Sequence, residues 1–114
     1  MEEIKSYTNL EQSKVLAKTL PLESADMSWK YQKDRWVGEP DYREWPDFEK
    51  ATDRRDIPCW SLAALLGVLP TFTIDSSDDH YFRVHCYTYF SEWHNNPVDA
   101  CYAIIIKLHE ANIL

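Results

Sequence analysis

The stretch Ser91–Glu110, SEWHNNPVDACYAIIIKLHE, gathers two histidines, a cysteine and several carboxylates. These are the residue types of metal sites and of nucleophilic catalysis. Their spacing argues against both. Two ligands on one helix need a separation of three or four residues. Cys101 and His109 are eight apart, about 12 Å along a helix at roughly 1.5 Å per residue. His85 and Cys86 are adjacent in an alternating stretch, so they point to opposite faces of a strand. Asp78, Asp79 and His80 sit together in a polar turn, where acids are ordinarily solvated. The cysteines Cys59, Cys86 and Cys101 lie in apolar patterns, where the residue acts as a small buried hydrophobe. Cys59 comes nearest to an activated position, because the helix expected around it would favour a thiolate. Its setting, IPCW, is apolar and contains no histidine. No catalytic residue, metal ligand or cofactor is expected.

Two aromatic groupings remain. Trp36 and Trp45 are interleaved with Glu39, Asp41, Glu44, Asp47 and Glu49, which superficially resembles a sugar site and is compatible with a groove for a small ligand or a peptide. In YFRVHCYTYF, the residues Tyr81, Arg83, His85, Tyr87 and Tyr89 alternate with an apolar set. One strand would carry these five on an outer face and Phe82, Val84, Cys86 and Phe90 on an inner one. Tyrosine and arginine are favoured at the centres of protein interfaces. Trp93 and His94 follow where this strand meets the last helix, a place where side chains gather at a surface.

Elements must hold these groups in place. Thr8 with Glu11 has the spacing of a capping box, and Leu10, Leu16, Ala17 and Leu20 share a face, which predicts a helix over Asn9–Leu20. Ala25, Met27, Trp29 and Tyr31 alternate with Asp26, Ser28, Lys30 and Gln32. That pattern predicts one strand with a buried face and a wet face. Residues 33–56 have no period but carry four rings, so they are expected as an ordered, irregular excursion, with a helical turn near Asp47–Ala51. Leu62, Leu65, Leu66 and Leu69 fit a short amphipathic helix that Gly67 and Pro70 would end. DSSDDH links Phe72–Asp75 to Tyr81–Phe90 as a hairpin. Asn96, Pro97 and Asp99 start the last helix, whose polar edge is narrow. The expected fold is α+β, a small and mainly antiparallel sheet packed against N- and C-terminal helices. The order is α-β-(aromatic excursion)-α-β-β-α in a single domain, residues 1–114.

Composition sets the outer bounds. The chain has 114 residues, 45% of them hydrophobic, with five Trp, seven Tyr and only two Gly. A glycine-rich phosphate loop is excluded. The net charge of −7 disfavours direct contact with a nucleic-acid backbone. No apolar run approaches the roughly 20 residues of a membrane span. An odd cysteine count without a secretory signal places the chain in the cytoplasm with reduced thiols.

The blocks Glu23–Met27, Ile57–Pro70 and Asn95–Glu110 together resemble a family of short uncharacterised proteins encoded in gut-bacterial and bacteriophage genomes. The resemblance covers about a third of the chain and brings no activity with it. It implies a cytoplasmic protein in a prophage or mobile-element setting. The leading expectation is a non-enzymatic interaction or accessory protein. It would meet an unidentified protein partner or a second copy of itself through Trp36, Trp45, Tyr81, Arg83, His85, Tyr87, Tyr89, Trp93 and His94. One alternative is a small-molecule or sugar-binding module with a pocket lined by Trp36, Trp45 or Trp93. Another is a subunit of a larger assembly with no site of its own.

Overall fold

A computed structural model describes residues 5–32, 34–36, 40–42 and 56–114. The chain is α+β. Helix α1 (Leu10–Thr19) begins at Asn9, whose side chain accepts from the Gln12 N–H while the Gln12 side chain accepts from the Asn9 N–H. The capping box therefore lies one residue later than Thr8 and Glu11 had indicated. Thr8 is fully buried and has other partners: its Oγ1 accepts from the Trp60 N–H (3.2 Å) and bonds Ser13 Oγ (2.8 Å). A buried hydroxyl needs bonds of its own, and at this position they tie α1 to the strand before the second helix.

The predicted strand Ala25–Gln32 divides in two. Strand β1 (Met27–Trp29) is the centre of an antiparallel sheet, between β4 (Asp41–Tyr42) and β5 (Ile57–Cys59). Strand β2 (Tyr31–Gln32) turns away to pair with β3 (Arg35–Trp36). Asp56 holds the break: its carboxylate accepts from the Tyr31 N–H (3.1 Å) and pairs with Lys30 (3.1 Å). All three residues of β1 are buried, Ser28 included. The wet face expected from the alternation is absent from β1, because a central strand in this sheet is covered on both sides.

Helix α2 (Leu62–Val68) starts at Ser61, whose Oγ caps the Ala64 N–H. Asp26 fixes that serine by accepting from its N–H (2.9 Å) and its hydroxyl (2.5 Å). Gly67 lies inside the helix rather than beyond it, and Leu69 is the C-cap. A second antiparallel sheet follows in the order β6 (Thr73–Ser76), β7 (Phe82–Cys86), β8 (Tyr89–Phe90). The expected hairpin is present, with its first strand one residue later than Phe72–Asp75 and its second strand ending at Cys86 rather than running on to Phe90. Helix α3 (Pro97–Glu110), capped by Asn96, lies across β7 and β8 and also against α2. Its Val98, Cys101, Ile104, Ile105 and Leu108 are fully buried with Leu16, Trp60, Leu65 and Val84. Each large apolar side chain so buried contributes about 1.5–3 kcal/mol. A smaller cluster of Met27, Trp29 and Cys59, covered by Tyr7, Leu10, Trp36 and Ile57, lies on the first sheet.

Candidate functional site

The second sheet carries the surface that the sequence pointed to, with a different membership. The stretch Tyr81–Phe90 is two strands, because Tyr87 and Thr88 form a tight turn between Cys86 and its partner Tyr89. Tyr87 takes φ 56° there, a conformation that favours glycine. The turn reverses the expected faces of everything after it. Phe90 stands opposite His85 and stacks on it, with centroids 4.9 Å apart and planes 3° from parallel. Tyr89 stands opposite Cys86 and packs against the core. Phe90 thus leaves the inner set and Tyr89 leaves the outer one.

A bulge then sets the positions of Trp93 and His94. In continuous register Phe82 would face Trp93. It faces His94 instead, exchanging two main-chain hydrogen bonds with it (2.6 and 2.8 Å). One extra residue has entered between Ser91 and His94, and Ser91 fills the gap by accepting from the Val84 N–H through Oγ (3.0 Å). Bulges re-aim side chains. This one places Trp93 over the outer face and brings His94 to the helix side.

On the outer face the Arg83 guanidinium lies between two rings, 5.0 Å from the Phe90 centroid and 4.7 Å from that of Trp93. Asp75 on β6 accepts from its Nη2 (3.0 Å) and Nε (3.3 Å). The rings remain accessible, Phe90 at 43% and Trp93 at 44%. The rings and the carboxylate together hold this cation in one orientation at an accessible surface.

On the inner side, a cleft of about 530 Å³ is lined by Gln12, His94, Asp99, Tyr102, Ala103, Ile106 and Lys107. His94 Nε2 is buried with no hydrogen-bond partner among the described residues. Asp99 accepts from Lys5 (2.6 Å), Gln12 (2.8 Å) and Asn96 (2.8 Å). Burial alone would raise its pKa. The hydrogen bonds from Lys5, Gln12 and Asn96, with the Lys5 charge, outweigh that and hold it below the ordinary value.

The other expected residues are placed elsewhere. Tyr81 is exposed beside the hairpin turn, and Tyr87 projects from its own turn. Trp36 belongs to the first half of the molecule, where it meets Tyr31 edge to face at 5.0 Å. Trp45 and the expected turn at Asp47–Ala51 lie outside the described residues. The cleft is not lined by Trp36 or Trp93. Cys59 ends a strand rather than starting a helix. Burial raises its pKa despite hydrogen bonds to Thr8 and Ser13. Burial pushes Cys101 up to about 12, and Cys86 is likewise buried. His109 is exposed near the chain end, its Nδ1 within 3.1 Å of the Leu114 carbonyl. Among the described residues no group of three or more His, Cys, Asp or Glu is placed to hold a metal ion, and no helix is long and apolar enough to cross a membrane. Phe90, Asp75 and Asp99 were not foreseen as site residues. The fact that could have revealed Phe90 is the Tyr87 turn, which carries no glycine to announce it.

No family model, no curated protein and no solved structure matches the chain.

Proposed function

We propose that the protein is a non-enzymatic interaction module that meets a protein partner through the outer face of its second sheet. A cytoplasmic setting in a prophage or other mobile element belongs to the same reading, on the strength of the three sequence blocks. The observation that carries it is Arg83 held between the accessible rings of Phe90 and Trp93. Aromatic rings and arginine dominate the energetics of protein interfaces. Proteins cross-linked to the chain in its native cell are identified, purified and titrated against wild type and Trp93→Ala. The expected result is a partner whose affinity falls about tenfold or more in the variant. Equal affinity for every partner recovered, or recovery of none, overturns the reading.

The cleft beside α3 favours a second reading, a small-molecule binding protein. Its volume lies within the range of ligand sites, and its lining combines Ala103, Ile106 and the Tyr102 ring with the polar groups of Gln12, His94, Asp99 and Lys107. A thermal-shift screen tests it. A true ligand raises the melting temperature of wild type and not of Ala103→Trp, which fills the cleft. A library without a hit that behaves this way counts against it.

A further inference from the structure

We infer that β6 is a docking edge for an extended peptide segment of another protein, one that alternates apolar and basic residues. The inference rests on the second sheet being a recognition element, but it uses the edge of the sheet and not its face.

The main-chain bonds of β7 determine which way those of β6 point. Phe82 exchanges both of its main-chain bonds with His94. The Val84 carbonyl accepts from the Ser91 N–H (2.9 Å) and the Val84 N–H donates to Ser91 Oγ. Both residues therefore direct their main-chain groups toward the β8 side. In an antiparallel ladder their opposite numbers on β6 must direct theirs away. Those partners are Ser76 and Ile74. Two residues at a spacing of two thus present N–H and C=O groups outward in the pattern that an added strand requires. Among the described residues β6 pairs with β7 alone.

The two edges of this sheet differ. On the β8 side, Lys107 of α3 donates Nζ to the Phe90 carbonyl, and the chain bulges before His94. Lysines, bulges and covering elements are how proteins blunt an edge against pairing. Strand β6 has no lysine, no proline and no bulge, and its register with β7 is regular over all four pairs. Its helix-side residues remain accessible: Ile74 at 37% and, two positions earlier, Phe72 at 41%. An incoming strand would set apolar side chains beside these two.

Charge selects the occupant. On the outer side Asp75 directs Oδ2 to both Arg83 donors, which leaves Oδ1 for a further donor. Asp78 and Asp79 are exposed just beyond the strand. A second copy of this chain would bring its own Asp75, Asp78 and Asp79 to the same place. A lysine or arginine of a different protein would complement them.

The test uses a fluorescent, end-blocked peptide of about six alternating lysine and valine residues, long enough to span the strand at roughly 3.3 Å per residue. Anisotropy titrations compare it with a glutamate–valine peptide, at low salt and with the intact protein. The lysine peptide should bind at least about ten times more tightly. Ile74→Pro removes an outward N–H without breaking the β7 ladder and should abolish binding. N-methylation of alternate peptide residues should do the same against wild type, so the test does not depend on the variant folding. Trp93→Ala should leave peptide binding unchanged, which separates this inference from the interface reading of the face. No binding of the lysine peptide, equal binding of both peptides, indifference to Ile74→Pro in a folded variant together with indifference to N-methylation, or concentration-dependent self-association that β6 substitutions abolish would each overturn it.

Discussion

The two three-stranded sheets of this small protein handle their aromatic and polar groups in opposite ways. In the first sheet they turn inward. Trp29 Nε1 and Cys59 Sγ both approach the Thr8 carbonyl (3.4 Å each), and Thr8 bonds Ser13 and Trp60. Central strand β1 is buried throughout. In the second sheet one face lies under α3, while the other displays Arg83 between Phe90 and Trp93. The same residue types are closed into a structural hub in one sheet and left on offer in the other. Residue type alone therefore says little about which aromatic group stays accessible; cover does.

Exchanging Trp29 and Trp93 for alanine sets the two sheets directly against each other. Trp29→Ala removes a buried ring and should cost about 3–5 kcal/mol, as large-to-small changes in cores do. Trp93→Ala should lie within about 1 kcal/mol of wild type, because a half-exposed ring and a surface cation contact contribute little to folding. Urea denaturation of both variants checks this. Similar losses in the two would mean that the outer face is a covered core and not a surface. Thr8→Val is the next largest effect. It keeps the shape but leaves the Trp60 N–H without its side-chain acceptor, at a cost of about 1–3 kcal/mol for a buried group. A variant as stable as wild type would remove the hub from the first sheet.

Elements with strong periodicity are legible in the sequence; those that depend on cover or on unusual turns are not. The Asn96–Pro97–Asp99 start of α3 and its apolar stripe were legible, because capping and a 3.6 period are local properties. Ser28 read as solvent-facing, because alternation reports a buried face but cannot report that the second face is buried as well. The turn at Tyr87 and Thr88 was invisible for a different reason. Positive φ is adopted by Asp34, His80, Tyr87 and Asn112, and by no glycine among the described residues. A reader who looks for glycine as punctuation finds none. Of the surface groups, Arg83, His85 and Trp93 were foreseen. Tyr89 and Phe90 were exchanged by that one unannounced turn, and the bulge at Ser91 determined how Trp93 and His94 were finally aimed.

Asp99 stands at the seam between the two halves. Lys5 and Gln12 reach it from the α1 side, and the carboxylate itself belongs to α3 over the second sheet. Its pKa is lower folded than unfolded, so the folded state favours the ionised form. The sign follows. Its contribution is fully present above the unfolded value of about 3.9 and is lost as pH falls from there through the lower folded value. Asp99→Asn should therefore lose stability relative to wild type at neutral pH, and the difference should shrink on acidification through that window. Denaturation midpoints of both proteins across the acid range measure it. A difference that stayed constant with pH would mean that the carboxylate holds the seam by shape alone.

The open face of the second sheet is set at Tyr87, where substitution should have only a small effect on stability. A tyrosine at φ 56° pays a steric penalty that glycine does not. Against this, glycine adds freedom to the unfolded chain, worth up to about 1 kcal/mol in the other direction. The exposed Tyr87 ring has little packing to lose. Tyr87→Gly should consequently change stability by no more than about 1 kcal/mol of either sign, while Tyr87→Val, β-branched and intolerant of positive φ, should be clearly destabilised. The ring stacking of His85 on Phe90 provides the structural readout. In Tyr87→Gly the ring-current shifts of the His85 protons should persist, since the turn keeps its geometry. Their loss in a folded Tyr87→Gly variant would show that the tyrosine itself, and not the backbone conformation it occupies, turns Phe90 to the open face.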